Sequence, residues 1–129
     1  MEQKFFICNH CGNIIAFVKD SGVPVVCCDE VMQEIIPGEV EASHEKHVPT
    51  FTEENGLVTV TVGSVLHPMS QEHHIEWISL QTKSGNQRKE LRPTDEPAAT
   101  FAICKGDTVE AVFAYCNLHG LWVAYTEAY

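Results

Sequence analysis

Six cysteines and seven histidines in 129 residues are the side chains of this sequence best suited to holding a metal. Cys8 and Cys11 form a CxxC, a turn that lets two thiolates converge on one ion. Gly12 follows directly, removing a side chain where the backbone must turn under the sulfurs. After an interval of fifteen residues Cys27 and Cys28 come as an adjacent pair. Neighbours on an extended strand point to opposite faces, so both can reach one ion only if the chain kinks there. The spacing therefore predicts a distorted four-thiolate site. A disulfide pair and a purely structural zinc are the alternatives, since zinc takes the same four thiolates as iron.

All but one of the histidines gather in three stretches: His44 and His47; His67, His73 and His74; and His119. Cys116-Asn117-Leu118-His119 sets a thiolate and an imidazole three residues apart just past an expected strand, where a turn brings both onto one ion. His67 and His73 would stand ~20 Å apart on a straight strand. To share a metal their segment must curl, and Pro68 helps by fixing one dihedral. His73 and His74 are adjacent and face apart, so only one of them is expected to bind. His10 and His44 are read as ordinary surface histidines, and Cys104, in Phe101-Ala102-Ile103-Cys104, as a small core hydrophobe.

Charge narrows the partners. Eight basic against 18 acidic side chains give a net charge of -10, the wrong sign for a protein that grips nucleic-acid phosphates. No apolar run approaches the ~20 residues of a membrane helix, and the apolar stretch near Met1 is too short for a signal peptide's core. The expectation is a cytoplasmic protein with no membrane and no nucleic-acid partner. In that reducing compartment cysteines serve more often as ligands than as disulfides.

The elements that must position these groups read as all-β. In the first 37 residues short apolar runs (Phe5-Phe6-Ile7, Ile14 to Val18, Val25-Val26) alternate with the turn signals Gly12-Asn13 and Asp20-Ser21-Gly22. A segment this small needs a staple, and four cysteines supply one. Pro37-Gly38 marks a boundary, giving domains 1–37 and 38–129, with residues 39–47 as linker or loop. Beyond it strands are expected over Val48–Thr52, Leu57–Val62, Ile75–Thr82, Gln87–Leu91, Thr100–Cys104, Thr108–Tyr115 and Leu121–Tyr125. Val58, Val60 and Val62 share one face, and Asn55-Gly56 is a strong hairpin signal. Seven short strands without a helical period predict an antiparallel sandwich of immunoglobulin-like type.

Taken together, Cys8-x-x-Cys11-Gly12-Asn13, Cys27-Cys28, Glu45-Lys46-His47-Val48-Pro49, Gly63-Ser64-Val65-x-His67-Pro68-Met69, His73-x-Ile75-Glu76-Trp77-Ile78 and Cys116-Asn117-Leu118-His119-Gly120 resemble the desulfoferrodoxins, two-iron superoxide reductases. The likeness runs through nearly the whole chain in the same order. It implies a desulforedoxin-like, rubredoxin-related first domain with iron on Cys8, Cys11, Cys27 and Cys28. It implies an immunoglobulin-like second domain with a non-haem iron on His47, His67, His73, His119 and Cys116. It further implies one-electron reduction of superoxide to hydrogen peroxide, a rubredoxin-like electron donor and a homodimer. The family's open-position glutamate falls on Glu45 and its loop lysine on Lys46, the two residues expected to act directly in catalysis. Two departures stand out: Asp29-Glu30-Val31-Met32 follows Cys28 where Gly-x-Pro-Met is common, and His74 replaces an aromatic residue after the ligand histidine.

Three other chemistries compete. A blue-copper site wants a weak axial ligand, often Met, and no Met follows His119. A zinc-stapled or electron-transfer metalloprotein without superoxide chemistry would use the same thiolates. A dismutase would need no electron donor.

Overall fold

The computed structural model describes residues 2–38 and 44–126, the side chains of His44 and Glu45 excepted. The chain divides into two compact units, Met1–Ile36 and Pro37–Tyr129.

In the first unit β1 (Phe5–Ile7) lies between β2 (Ile14–Ala16) and β5 (Gln33–Glu34), and β3 (Val26–Cys27) pairs with β4 (Glu30–Val31), all antiparallel. Among its described residues the buried apolar side chains are few, namely Phe5, Cys8 and Met32. So small a core cannot offset the entropy of ordering the segment, and the sulfur cluster must contribute. Cys27 pairs with Glu30 across β3 and β4, leaving Cys28 and Asp29 as a two-residue loop with φ of 53° and 61°. Positive φ at both loop positions is the mark of a type I′ hairpin turn. This is the kink that the adjacent cysteines demand.

Among the described residues the second unit is all-β apart from one turn of helix, with seven strands: β6 (Pro49–Glu54), β7 (Leu57–Val62), β8 (Ile75–Thr82), β9 (Asn86–Glu90), β10 (Ala98–Ala102), β11 (Val109–Cys116) and β12 (Gly120–Tyr125). They form antiparallel sheets in the orders β10-β7-β6 and β12-β11-β8-β9. One core joins the sheets: Val58, Val60 and Val62 from β7 and Phe101 from β10 meet Ile78 and Leu80 from β8 and Val112 and Ala114 from β11. The strict alternation along β7 thus points its valines inward. Glu54 pairs with Leu57, and Asn55 and Gly56 take φ of 51° and 77°, so the expected hairpin forms with the same I′ signature.

Two expectations need correction. Residues 44–47, read as part of a loop, form α1 (His44–His47). One turn of helix is too short to leave a periodic apolar pattern. Cys104 is exposed rather than in the core. The strand β10 starts two residues earlier than expected and ends at Ala102, because Ala102 pairs with Leu57 beside the Asn55-Gly56 turn. Cys104 therefore falls in the following turn, where its carbonyl accepts from the Asp107 amide at 3.0 Å.

Candidate metal centres

The first centre is built by two tight turns. In the Cys8–Asn13 loop the Gly12 amide donates to the Cys8 carbonyl at 2.9 Å, and the Cys8 amide to the Asn13 carbonyl at 2.8 Å. Gly12 has φ of +85° with nothing within 4 Å of where a Cβ would stand, so its dihedral, not lack of space, demands glycine. The I′ turn at Cys28-Asp29 brings the other pair across. All four sulfurs lie within 4.8 Å of one another. Cys11 Sγ stands 3.7 Å from Cys27 Sγ, which stands 4.0 Å from Cys28 Sγ. Thiolates ~2.3 Å from one tetrahedral metal are ~3.8 Å apart, whereas a disulfide closes to ~2.05 Å.

Ionisation in this cluster is uneven. Hydrogen bonding from the Cys11 amide, with a smaller contribution from His10, brings the Cys8 thiol down to about 6. The Cys11 amide lies 3.4 Å from that sulfur. Protons shared with Cys11 and Cys8 push Cys28 up to about 12, and Cys8 and Cys11 raise Cys27 in the same way. Without a cation the crowded sulfurs share protons; a bound cation lets all four ionise. Asn13 adds a side-chain amide donor 3.7 Å from Cys27 Sγ.

The second centre sits at one end of the sandwich, where α1 enters β6, β7 ends, β8 begins and β11 turns into β12. His47 closes α1 and is buried. His67 follows β7, its amide donating to the Val62 carbonyl at 3.2 Å. His73 lies two residues before β8, Cys116 ends β11, and His119 sits in the turn to β12. Around the centre successive ring centroids are 4.7 Å apart for His47–His67 and 4.6 Å for His67–His73. The remaining sides are 5.0 Å for His73–His119 and 4.8 Å for His119–His47, while His47 and His73 across the centre stand at 6.3 Å. Each neighbouring pair is edge to face, at interplanar angles of 75° to 88°. The four imidazoles thus occupy the corners of a rough square.

The ring nitrogens and the Cys116 sulfur converge on one space. One ring nitrogen each of His47, His67 and His73 and the Cys116 sulfur lie within 4.8 Å of one another. His119 Nδ1 is 3.1 Å from His47 Nε2 and 3.9 Å from Cys116 Sγ. Nitrogens ~2.1 Å from one metal at a right angle stand ~3.0 Å apart. A shared proton would give the His47–His119 separation equally well, so the decisive atoms are elsewhere. His67 Nε2 and His73 Nε2 are buried without a hydrogen-bond partner. Burying a bare acceptor costs roughly 1–3 kcal/mol, and two such atoms aimed into one space fit a cation. His67 Nδ1 faces the Pro68 carbonyl at 2.7 Å and must donate there, which fixes the tautomer and leaves the Nε2 lone pair inward. Pro68 therefore holds the ring as well as curling the segment.

Burial favours the uncharged forms of His67, His73 and Cys116 in the absence of a metal. Desolvation, ahead of the surrounding imidazoles, brings His67 down to about 4, and burial lowers His73 too. Burial raises the Cys116 thiol, against amide hydrogen bonds from Leu118 and His119 that favour the thiolate. Uncharged imidazoles and a thiol that a cation would ionise are the donor set of a transition-metal site.

A Desulfoferrodoxin family model matches residues 39–125. The chain is 43% identical over 123 residues to a desulfoferrodoxin of Nitratidesulfovibrio vulgaris, covering 95% of this chain and 96% of that protein. It is 44% identical over 120 residues to a desulfoferrodoxin homolog of Archaeoglobus fulgidus, covering 93% and 94%. Among solved structures the superoxide reductase from Treponema pallidum superposes with a TM-score of 0.82 at 38% identity, covering 96% of this chain and 99% of that one. The chain belongs to the desulfoferrodoxin family. Its four-cysteine cluster and its four-histidine, one-cysteine cluster match the two-iron arrangement of desulfoferrodoxins.

Within this desulfoferrodoxin fold every expected ligand joins its expected group. His73 points inward, whereas His74 turns away, with Nδ1 3.0 Å from the Ser70 carbonyl. His10 is exposed, and Lys46 is exposed beside His47 on α1. The Glu45 side chain lies outside the described residues. Sequence reasoning missed two supports. Trp122 stacks on the His47 ring, centroids 5.0 Å apart, and donates its indole N–H to the His119 carbonyl at 3.0 Å. Asn117 bonds the segment that carries His73. Asn117 stands inside the Cys-Asn-Leu-His-Gly run, but an amide in a turn is too common to single out.

Proposed function

We propose that this chain is a superoxide reductase that converts superoxide to hydrogen peroxide by one-electron reduction at the histidine–cysteine centre. The observation that carries this reading is the square of four imidazoles, two of them with bare buried nitrogens, beside a buried thiol. Likeness over nearly the full chain to the superoxide reductase from Treponema pallidum supports the same substrate. Iron held by His47, His67, His73, His119 and Cys116 would supply the electron. Amide donors to Cys116 would stabilise its thiolate, and the four neutral imidazoles would leave the site net positive toward an anion.

Lys46 is assigned the role of drawing superoxide in and holding a water that delivers a proton. Its charge reaches the centre, since it is among the groups that lower His73. Glu45, one residue earlier on α1, is assigned the displacement of product after oxidation. Residues 1–37 form the tetrathiolate iron domain on Cys8, Cys11, Cys27 and Cys28, and residues 38–129 the reductase domain. Each turnover consumes an electron, which a rubredoxin-like donor restores. A homodimer is supported by the first unit's apolar surface, where Val18, Val23, Val26 and Val31 are more than half exposed. Sedimentation at micromolar concentration should give twice the chain mass. No helix among the described residues is long and apolar enough to cross a membrane, and we assign the protein to the cytoplasm.

Anaerobic mixing of the reduced, iron-loaded chain with pulsed superoxide tests the activity. One peroxide formed per superoxide, with no oxygen evolved and about two irons per chain, is the expected result. Oxygen evolution would identify a dismutase, and zinc alone in both centres a structural metalloprotein.

A further inference from the structure

We propose that Asn117 is a positioning residue that sets where the His73 ring stands relative to the Cys116 sulfur; this rests on the reading of the second centre as an iron site. The two ligands come from different hairpins and must be brought into register. The β8–β11 ladder cannot do this alone, because its pairing jumps from Trp77↔Tyr115 to Ile75↔Cys116, leaving Glu76 as an extra residue. Asn117 takes over where the ladder ends. Its amide donates to the His74 carbonyl at 3.2 Å, and its Oδ1 accepts from the His74 amide at 2.9 Å. Its Nδ2 donates to the Glu72 carbonyl at 2.9 Å. Both residues flanking His73 are therefore tied to the residue after Cys116.

The segment so held is a closed unit. Ser70 Oγ receives the His73 amide at 3.1 Å and donates to the His73 carbonyl at 3.2 Å. The Ser70 amide donates to that carbonyl too, at 2.9 Å. A turn closed on itself moves as one body, so its anchor decides where the His73 ring goes. The chemistry of the anchor is specific: it needs an acceptor for one main-chain N–H and a donor for a carbonyl two residues away. A carboxylate offers only the acceptor, and a hydroxyl is too short to meet both. Simply extending the ladder would have needed only the backbone bond to His74.

The test uses the full iron-loaded chain, oxidised, and reads the visible sulfur-to-iron absorption band together with iron release to a chelator. In Asn117→Ala the band should shift and broaden, and iron should leave the second centre roughly tenfold faster or more, the usual consequence of losing an outer-shell partner. In Asn117→Asp, which keeps the acceptor, both changes should be smaller. A variant that melts earlier while its band and release rate match wild type would show a merely structural residue and overturn the proposal. If Asn117→Ala does not fold, Asn117→Asp decides on the same readouts. A wild-type chain that shows the band yet fails to reduce superoxide would overturn the functional reading and leave the anchor standing.

Discussion

At the scale of single residues, the second centre trades metal-free stability for readiness to bind. His67 is buried, and its Nε2 has no partner. Desolvation holds its folded-state value at about 4 against an ordinary 6.5. Between those values the unfolded chain takes up a proton that the folded chain refuses, so this contribution is complete above about pH 6.5 and is lost as pH falls toward 4. For the metal-stripped chain the loss from His67 alone should be roughly 2 kcal/mol at pH 5. His73, lowered by the same burial, acts in the same direction. Urea unfolding of the stripped chain at pH 7 and pH 5 checks this, and equal midpoints would contradict it. With iron bound, ligation replaces the missing hydrogen bonds, and the transition should move to higher urea at both pH values.

At the scale of elements, the same turn appears twice, and only one instance is legible in the sequence. Asn55-Gly56 announces its I′ hairpin because both residue types tolerate positive φ. Cys28-Asp29 adopts the same signature, but cysteine is no turn former, so sequence shows only that a kink is needed and not its form. Asp29 at φ 61° carries strain that a β-branched residue would feel more and glycine less. Asp29→Val should weaken the first unit by about 1–2 kcal/mol, and Asp29→Gly should be neutral or stabilising. The loss of the first centre's metal absorption in guanidinium measures both, and an unchanged midpoint in Asp29→Val would refute the turn assignment. The ligands themselves were legible because thiols and imidazoles are few and their spacing is specific. The strands were legible from period-two alternation, as along β7. Three features were not. Four residues of α1 leave no periodicity, the end of β10 depends on pairing with β7, and Asn117 acts through partners more than forty residues away.

At the scale of the whole molecule, electrostatics opposes the proposed reaction. A net charge of -10 repels superoxide, so the chain must attract it locally or react slowly. Lys46 is the exposed cation adjoining His47 on α1, and its charge is felt at His73. At about 0.1 M salt, charges farther away than ~10 Å are largely screened, so what remains near the centre is dominated by nearby groups. Lys46→Ala should therefore slow superoxide association severalfold at low salt, where steering is strongest. It should also flatten the dependence on salt, because the attraction that salt normally screens is gone. The sulfur-to-iron band should stay in place, since Lys46 holds no ligand, and that separates loss of steering from damage to the centre. Association rates equal to wild type at ~0.01 M salt, where the screening length is ~30 Å, would reject the steering role and assign the speed of the reaction to the metal site alone.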